Sequence, residues 1–261
     1  MGIVNVTPDS FSDGGDNADP AVAVATARRL LGDGAALVDI GGASTRPGAE
    51  DISLDEELRR VLPVLEGLSG HPVSIDTSKA EVGRRALALG ACLVNDVTAL
   101  RADPDLARVI ADAGAYVCLM HMQGEPRTMQ LEPRYDDVVE DVAAFLEERL
   151  SAAVAAGISE DRVCLDPGIG FGKTVAQNLT LIRGLERIRS IGPPVLVGLS
   201  RKSTFARVLG DPGGSVSSDA ASVGAAVAAF DRGATLFRVH DVAAHVDALT
   251  VAAAVERGAE R

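Results

Sequence analysis

Short apolar runs alternate with longer helix-like stretches along the whole chain. The runs are GIVNVT (2–7), ALVDIG (36–41), PVSIDT (72–77), CLVNDV (92–97), AYVCLMH (115–121), RVCLDPG (162–168), VLVGLS (195–200) and LFRVH (236–240). Each is about five residues long and apolar without strict alternation, the pattern of strands buried on both faces in a parallel sheet. Each also ends in polar residues. The stretches between them carry helix signals. Asp19-Pro20 and Asp103-Pro104 offer an N-cap followed by a proline at the first helical position. Ser53 with Glu56, and Ser78 with Glu81, fit capping boxes. Residues 136–155 carry an apolar stripe of Val138, Val142, Phe145 and Leu146. Gly34, Gly90, Gly114 and Gly233 each precede a strand, where glycine closes the helix before it.

Eight strand–helix units at a mean spacing of about 33 residues predict one (β/α)8 TIM barrel over residues 1–261. An open doubly wound sheet is the alternative, and the regularity of the units favours closure. Met1 stands almost on the first strand, so no upstream segment is expected to fill the lower end of the barrel.

Composition removes several function classes. The 25 Lys and Arg against 37 Asp and Glu leave a net charge of −12 with no basic cluster, which argues against nucleic acid as a partner. A few local cations can still hold an anionic small molecule. No apolar run approaches the ~20 residues of a membrane helix, and no signal-like segment opens the chain. Cys92, Cys118 and Cys164 are odd in number and lie in apolar runs, the pattern of buried free thiols. His71, His121, His240 and His245 show no metal-binding spacing.

In a barrel of this kind the active site lies at the C-terminal ends of the strands. Those ends carry Asn5 and Thr7, Asp39, Asp76, Asn95 and Asp96, His121, Asp166, Ser200 with Arg201 and Lys202, then Arg238 and His240. Taken singly, a strand-end Asp or Asn caps the next helix. As a set they suggest a site. Arg46, Arg201, Lys202, Arg238 and His240 suit a phosphate or diphosphate. Asp76, Asn95 and Asp166 could read a flat heterocycle with N–H and C=O groups along its edge. Asn5 and the Asp side chains could also accept Mg²⁺. The segment PGIGFGKT (167–174) resembles a P-loop but has Pro167 where the first glycine is needed. It is better read as a glycine-lined loop that admits a ligand to the backbone and presents Phe171 as a stacking wall.

These residues, in order, resemble the dihydropteroate synthase family of pterin-binding barrels. The likeness lies in GIVNVTPDSFSDGG (2–15), GGASTRPG (41–48), SIDT (74–77), VND (94–96), MHMQG (120–124), DPGIGFGK (166–173), SRK (200–202) and RVH (238–240). It implies a cytoplasmic, homodimeric transferase of folate biosynthesis and a sulfonamide target. Its reaction joins p-aminobenzoate to (7,8-dihydropterin-6-yl)methyl diphosphate and releases diphosphate. Carried over, the pterin site falls on Asp76, Asn95, Met120, Asp166 and Lys202. The diphosphate site falls on Asn5, Thr45, Arg46, Arg238 and His240, with Asn5 at Mg²⁺. The p-aminobenzoate pocket falls on Phe11, Thr45, Pro47, Phe171, Ser200 and Lys202, and the catalytic set on Asp76, Lys202, Arg238 and His240. Residues 7–15 and 43–48 correspond to the family's two mobile loops. Three departures stand out. Ala43 replaces a usual Glu, Thr204-Phe205-Ala206 replaces an apolar-apolar-Gly triplet, and the segment before the first strand is short. Two rivals share parts of the pattern. A methyltetrahydrofolate-dependent methyltransferase domain would need the pterin acceptors but not SRK and RVH. A non-catalytic pterin-binding paralogue would not need the loop residues Phe11, Ser44, Thr45, Arg46 and Pro47.

Overall fold

The computed structural model describes residues 1–7, 19–44, 51–124 and 128–258. Phe11, Thr45, Arg46 and Pro47 therefore lie outside the described residues. The chain is a (β/α)8 barrel. Its strands are β1 (Gly2–Asn5), β2 (Val38–Gly41), β3 (Val73–Asp76), β4 (Leu93–Asp96), β5 (Tyr116–Met120), β6 (Val163–Asp166), β7 (Leu196–Val197) and β8 (Leu236–Phe237). Between and after them run α1 (Pro20–Gly32), α2 (Leu54–Gly67), α3 (Ala80–Ala88), α4 (Leu106–Ala113), α5 (Val138–Ala155), α6 (Val175–Arg183), α7 (Leu185–Arg189), α8 (Ser203–Val208), α9 (Asp219–Phe230) and α10 (Val242–Arg257). Strands β1 to β6 pair in parallel in chain order, and β7 pairs with β8. Single parallel bridges, Leu165 to Val195 and Gly2 to Val239, join the two ladders into a ring. The β7 and β8 ladders are shorter than the apolar runs because Gly198 and the polar residues after it leave the sheet to build the rim.

The continuous apolarity of the strands has two destinations. Val38, Ile40, Val73, Ile75, Val117, Leu119, Val163 and Leu165 belong to the large core shared with the helices. Leu93, Cys118, Cys164 and Leu196 cluster separately, with Met1, Leu37 and Leu236 packed on them. This second cluster fills the barrel's lower interior, so the plug comes from the strands and the residues beside them.

Helix starts follow the sequence in part. Asp19, Ser53 and Asp137 cap α1, α2 and α5 with their side chains. Two expected caps are corrected. Ser78 makes no capping box: α3 starts after Lys79, the Glu81 carboxylate is taken by Arg84 and Arg85, and the Ala80 N–H donates to Asp103 Oδ2 at 2.7 Å, from the loop before the next helix. Asp103 in turn is not the cap of α4, which starts after Asp105. Cys118 and Cys164 are buried free thiols as expected, whereas Cys92, just before β4, is exposed.

Candidate active site

A cavity of about 760 Å³ opens at the C-terminal ends of the strands. Its floor is a buried ionic cluster. Arg238, just past β8, donates from Nε to Asp39 Oδ2 at 2.6 Å and from Nη2 to Asp76 Oδ2 at 2.8 Å. Asn95 Nδ2 donates to the same Asp39 oxygen at 3.0 Å. Two carboxylates thus share one guanidinium, and Asp39 is fully buried. Burial pushes the Asp76 carboxyl up to about 7 against the pull of Arg238, and Asp39, Glu57 and Asp96 add to the rise. Burial opposes the Arg238 charge, yet Asp39 and Asp76 hold its pKa above the ordinary value. Strand register explains the meeting. Asp39, Ser74 and Leu93 are lateral neighbours, and two residues on, Gly41, Asp76 and Asn95 form the next row toward the mouth.

Asp166 ends β6 beside this row. Its Oδ1 accepts from the Gly168 N–H at 2.7 Å, a tight turn that leaves the other carboxylate oxygen available to a ligand. Burial raises its pKa, while the Gly168 bond and the positive charges of Lys202, Lys173 and Arg238 oppose the rise. Gly168 is required here: at φ 68° a Cβ would lie 1.9 Å from the His121 carbonyl oxygen. The same close approach places Lys173 in the interior. Its Nζ lies 2.9 Å from His121 Nδ1 and donates to the carbonyls of Gly168 and Phe171, each at 3.0 Å. An ammonium with three acceptors is fully matched. Burial nonetheless lowers the Lys173 pKa to about 7, and burial together with Lys173 lowers that of His121 to about 3. His121 is therefore held neutral beside the lysine.

The outer wall comes from the loop after β6 and the start of α8. The Lys202 ammonium stands 4.2 Å from the centre of the Phe171 ring. Ser200 Oγ lies 2.9 Å from His240 Nδ1 and accepts from the His240 N–H at 3.1 Å. Arg201 adopts a left-handed φ of 57° and is clamped by Asp219, with its N–H on Ser222 Oγ. Met120 packs with Val97, Met122 and Met129, with Phe171 against them, on one side of the cavity.

The structure thus brings Asn5, Asp76, Asn95, Met120, Asp166, Phe171, Ser200, Lys202, Arg238 and His240 to one cavity. Several of the expected residues also have protein partners. Ser200, expected beside p-aminobenzoate, is bonded to His240. Arg238, expected at the diphosphate, holds two carboxylates of the floor. Arg201 is tied to α9. Asp96 turns out to be structural: its oxygens accept from the Thr98 N–H and hydroxyl and from the Leu100 N–H, bracing left-handed residues Ala99 and Leu100. Asp39 stood in the strand-end set but was given no ligand-reading role, and Lys173 was not assigned to the site from sequence. An aspartate inside an otherwise apolar strand run was the available signal for the first. For the second, only the glycines before it hinted at a loop tight enough to bury a lysine.

Among the described residues no three His, Cys, Asp or Glu side chains converge as metal ligands. Asn5 supplies one amide oxygen at the mouth. That donor suits a Mg²⁺ ion that takes its remaining ligands from water and phosphate. Among the described residues no helix is long and apolar enough to cross a membrane.

The sequence profile of a family described as "Pterin binding enzyme" matches residues 1–240. The chain is 47% identical to a dihydropteroate synthase of Neisseria meningitidis serogroup C over 254 residues, covering 95% of this chain and 89% of that protein. The fold superposes on a Yersinia pestis dihydropteroate synthase in complex with a sulfonamide drug. The TM-score is 0.93 at 43% identity, covering 99% of this chain and 94% of that one. It also superposes on a Xanthomonas albilineans dihydropteroate synthase solved with 4-aminobenzoic acid. There the TM-score is 0.89 at 51% identity, covering 99% and 93%.

Proposed function

Because the chain belongs to the family of pterin-binding enzymes, we propose how its own residues divide the work of making dihydropteroate. The chain is a transferase that condenses p-aminobenzoate with (7,8-dihydropterin-6-yl)methyl diphosphate. The amine nitrogen forms a bond to the pterin methylene carbon, the bond from that carbon to the diphosphate oxygen breaks, and the amine proton passes to diphosphate or water.

The observation that carries the assignment is the row of Asp76, Asn95 and Asp166, buried on β3, β4 and β6 and facing one cavity. Asp166 has one oxygen held by Gly168 and the other free to accept from the pterin 2-amino group and ring N–H. Asn95, oriented by Asp39, offers its carbonyl. Asp76 carries negative charge beside the electron-poor carbon as the leaving group departs, and Arg238 keeps that carboxylate placed. His240, Asn5 and the loop residues Thr45 and Arg46 meet the diphosphate. Mg²⁺ at Asn5 would neutralise charge on the departing oxygens when bound. The p-aminobenzoate ring lies against Phe171, with its carboxylate toward Lys202.

The same assignment includes a homodimer in a reducing, cytoplasmic setting. Val251 and Val255, one turn apart, leave exposed apolar side chains on one face of α10 for a second copy, and three free cysteines suit that compartment. The test is a product assay on the purified protein. With both substrates, dihydropteroate and diphosphate should appear in equal amounts; omission of p-aminobenzoate should abolish both. A protein that binds the pterin yet forms no product would be a non-catalytic binder.

A further inference from the structure

The loop after β6 and the start of α8 form two walls of the outer cavity, and one buried amide joins them. Asn178, on the first turn of α6, is 1% exposed. Its Oδ1 accepts from the Gly170 N–H at 2.8 Å, and its Nδ2 donates to Thr204 Oγ1 at 3.0 Å. Thr204 is itself buried and stands two residues after Lys202. A second clasp joins the same walls. Gly170 has φ 86°, and a Cβ there would meet Lys202 Cδ at 3.1 Å, so the lysine stem runs against the loop backbone. Its ammonium then reaches the Phe171 ring.

We propose that Thr204 is a specificity-determining positioning residue whose hydroxyl, through Asn178, sets the gap between Lys202 and Phe171 and so the affinity for the acceptor amine. The inference rests on the assignment of Phe171 and Lys202 to p-aminobenzoate. An apolar side chain could not accept the Asn178 N–H. Among the described residues, the other acceptor within reach of that donor is the Lys173 carbonyl, at a long 3.4 Å. Without the hydroxyl, the amide must turn or α8 must shift, and either moves Lys202 relative to Phe171. Lys202 was expected at the pterin as well, but the pterin acceptors Asp76, Asn95 and Asp166 stand on β3, β4 and β6, outside this clasp.

Steady-state kinetics of the wild type, Thr204→Val and Thr204→Ser test it, together with calorimetric titration by 6-hydroxymethyl-7,8-dihydropterin. Valine keeps the shape and removes the acceptor. It should raise KM for p-aminobenzoate by roughly three- to tenfold, the factor of one net hydrogen bond, with kcat and pterin affinity within about twofold. Serine should restore the wild-type KM. An unchanged KM in Thr204→Val, an equal loss of pterin affinity, or failure of serine to restore KM would each overturn the proposal. Thr204→Ala supplies the same comparison if the valine protein does not fold. A wild type that makes no dihydropteroate would instead overturn the assigned reaction.

Discussion

In the deep half of the cavity the polar groups stand on neighbouring strands and hold one another. In the outer half they stand on loops and helix ends and are held from behind. Asp39, Asp76, Asn95 and Arg238 form one hydrogen-bonded cluster inside the barrel. Lys202 and Phe171 touch only as cation and ring, and their backbones are tied through Asn178 and Thr204. The difference predicts different failures. A change at the Arg238 guanidinium of the deep half should disturb chemistry and fold together, since it strands buried charges. A change in the outer half should shift acceptor affinity and leave the rest intact.

The largest expected effect is at Arg238. Arg238→Ala should lower turnover by about 10²-fold or more, because Asp76 loses the guanidinium that keeps its carboxylate placed beside the reacting carbon. It should also cost about 3–5 kcal/mol of stability, because Asp39 and Asp76 lose their shared partner. Kinetics beside a denaturant titration read both. Normal stability with lost turnover would make Arg238 a ligand-facing clamp and remove it from the floor.

Next comes Asp166→Asn. The new amide would keep its carbonyl on the Gly168 N–H and turn its NH₂ toward the pterin N–H groups, a donor facing donors. Affinity for the pterin diphosphate should fall by roughly 30-fold or more, with little change in melting temperature. The pH profile is a third way to separate the halves. Asp76 carries a proton below about 7, which removes its charge beside the reacting carbon. The value of kcat/KM for the pterin diphosphate should therefore fall as pH drops below about 7, by up to about tenfold per pH unit, and Asp76→Asn should flatten that limb. The smallest effect belongs to the outer wall. Phe171→Ala should raise KM for p-aminobenzoate by roughly three- to tenfold, the worth of the lost ring contact, and leave the acid limb in place.

Much of the deep half was legible because strand ends in a barrel share one rim. Asp76, Asn95 and Asp166 could be read from their place after an apolar run. What joins them could not. Arg238 and Asp39 are 199 residues apart, and only barrel closure places β2 and β8 on either side of β1. Lys173 looked like an ordinary loop lysine, since its burial follows from the glycine-permitted approach of the loop to His121. The Asp103 cap on Ala80 was hidden for the same reason: it acts across space on a helix 23 residues earlier. Local signals such as the Asp19 and Ser53 N-caps were read correctly because cap and helix are adjacent, but the Ser53 box forms only in half, since the Glu56 carboxylate pairs with Arg59 and Arg60.

The central claim is that the deep half reads the pterin by itself. Calorimetric titration with 6-hydroxymethyl-7,8-dihydropterin, which lacks both diphosphate and acceptor, tests it on three proteins. The account predicts binding to the wild type, equal binding to Phe171→Ala, and binding weakened by about 30-fold in Asp166→Asn. Equal binding by all three, or a loss in Phe171→Ala as large as that in Asp166→Asn, would contradict it.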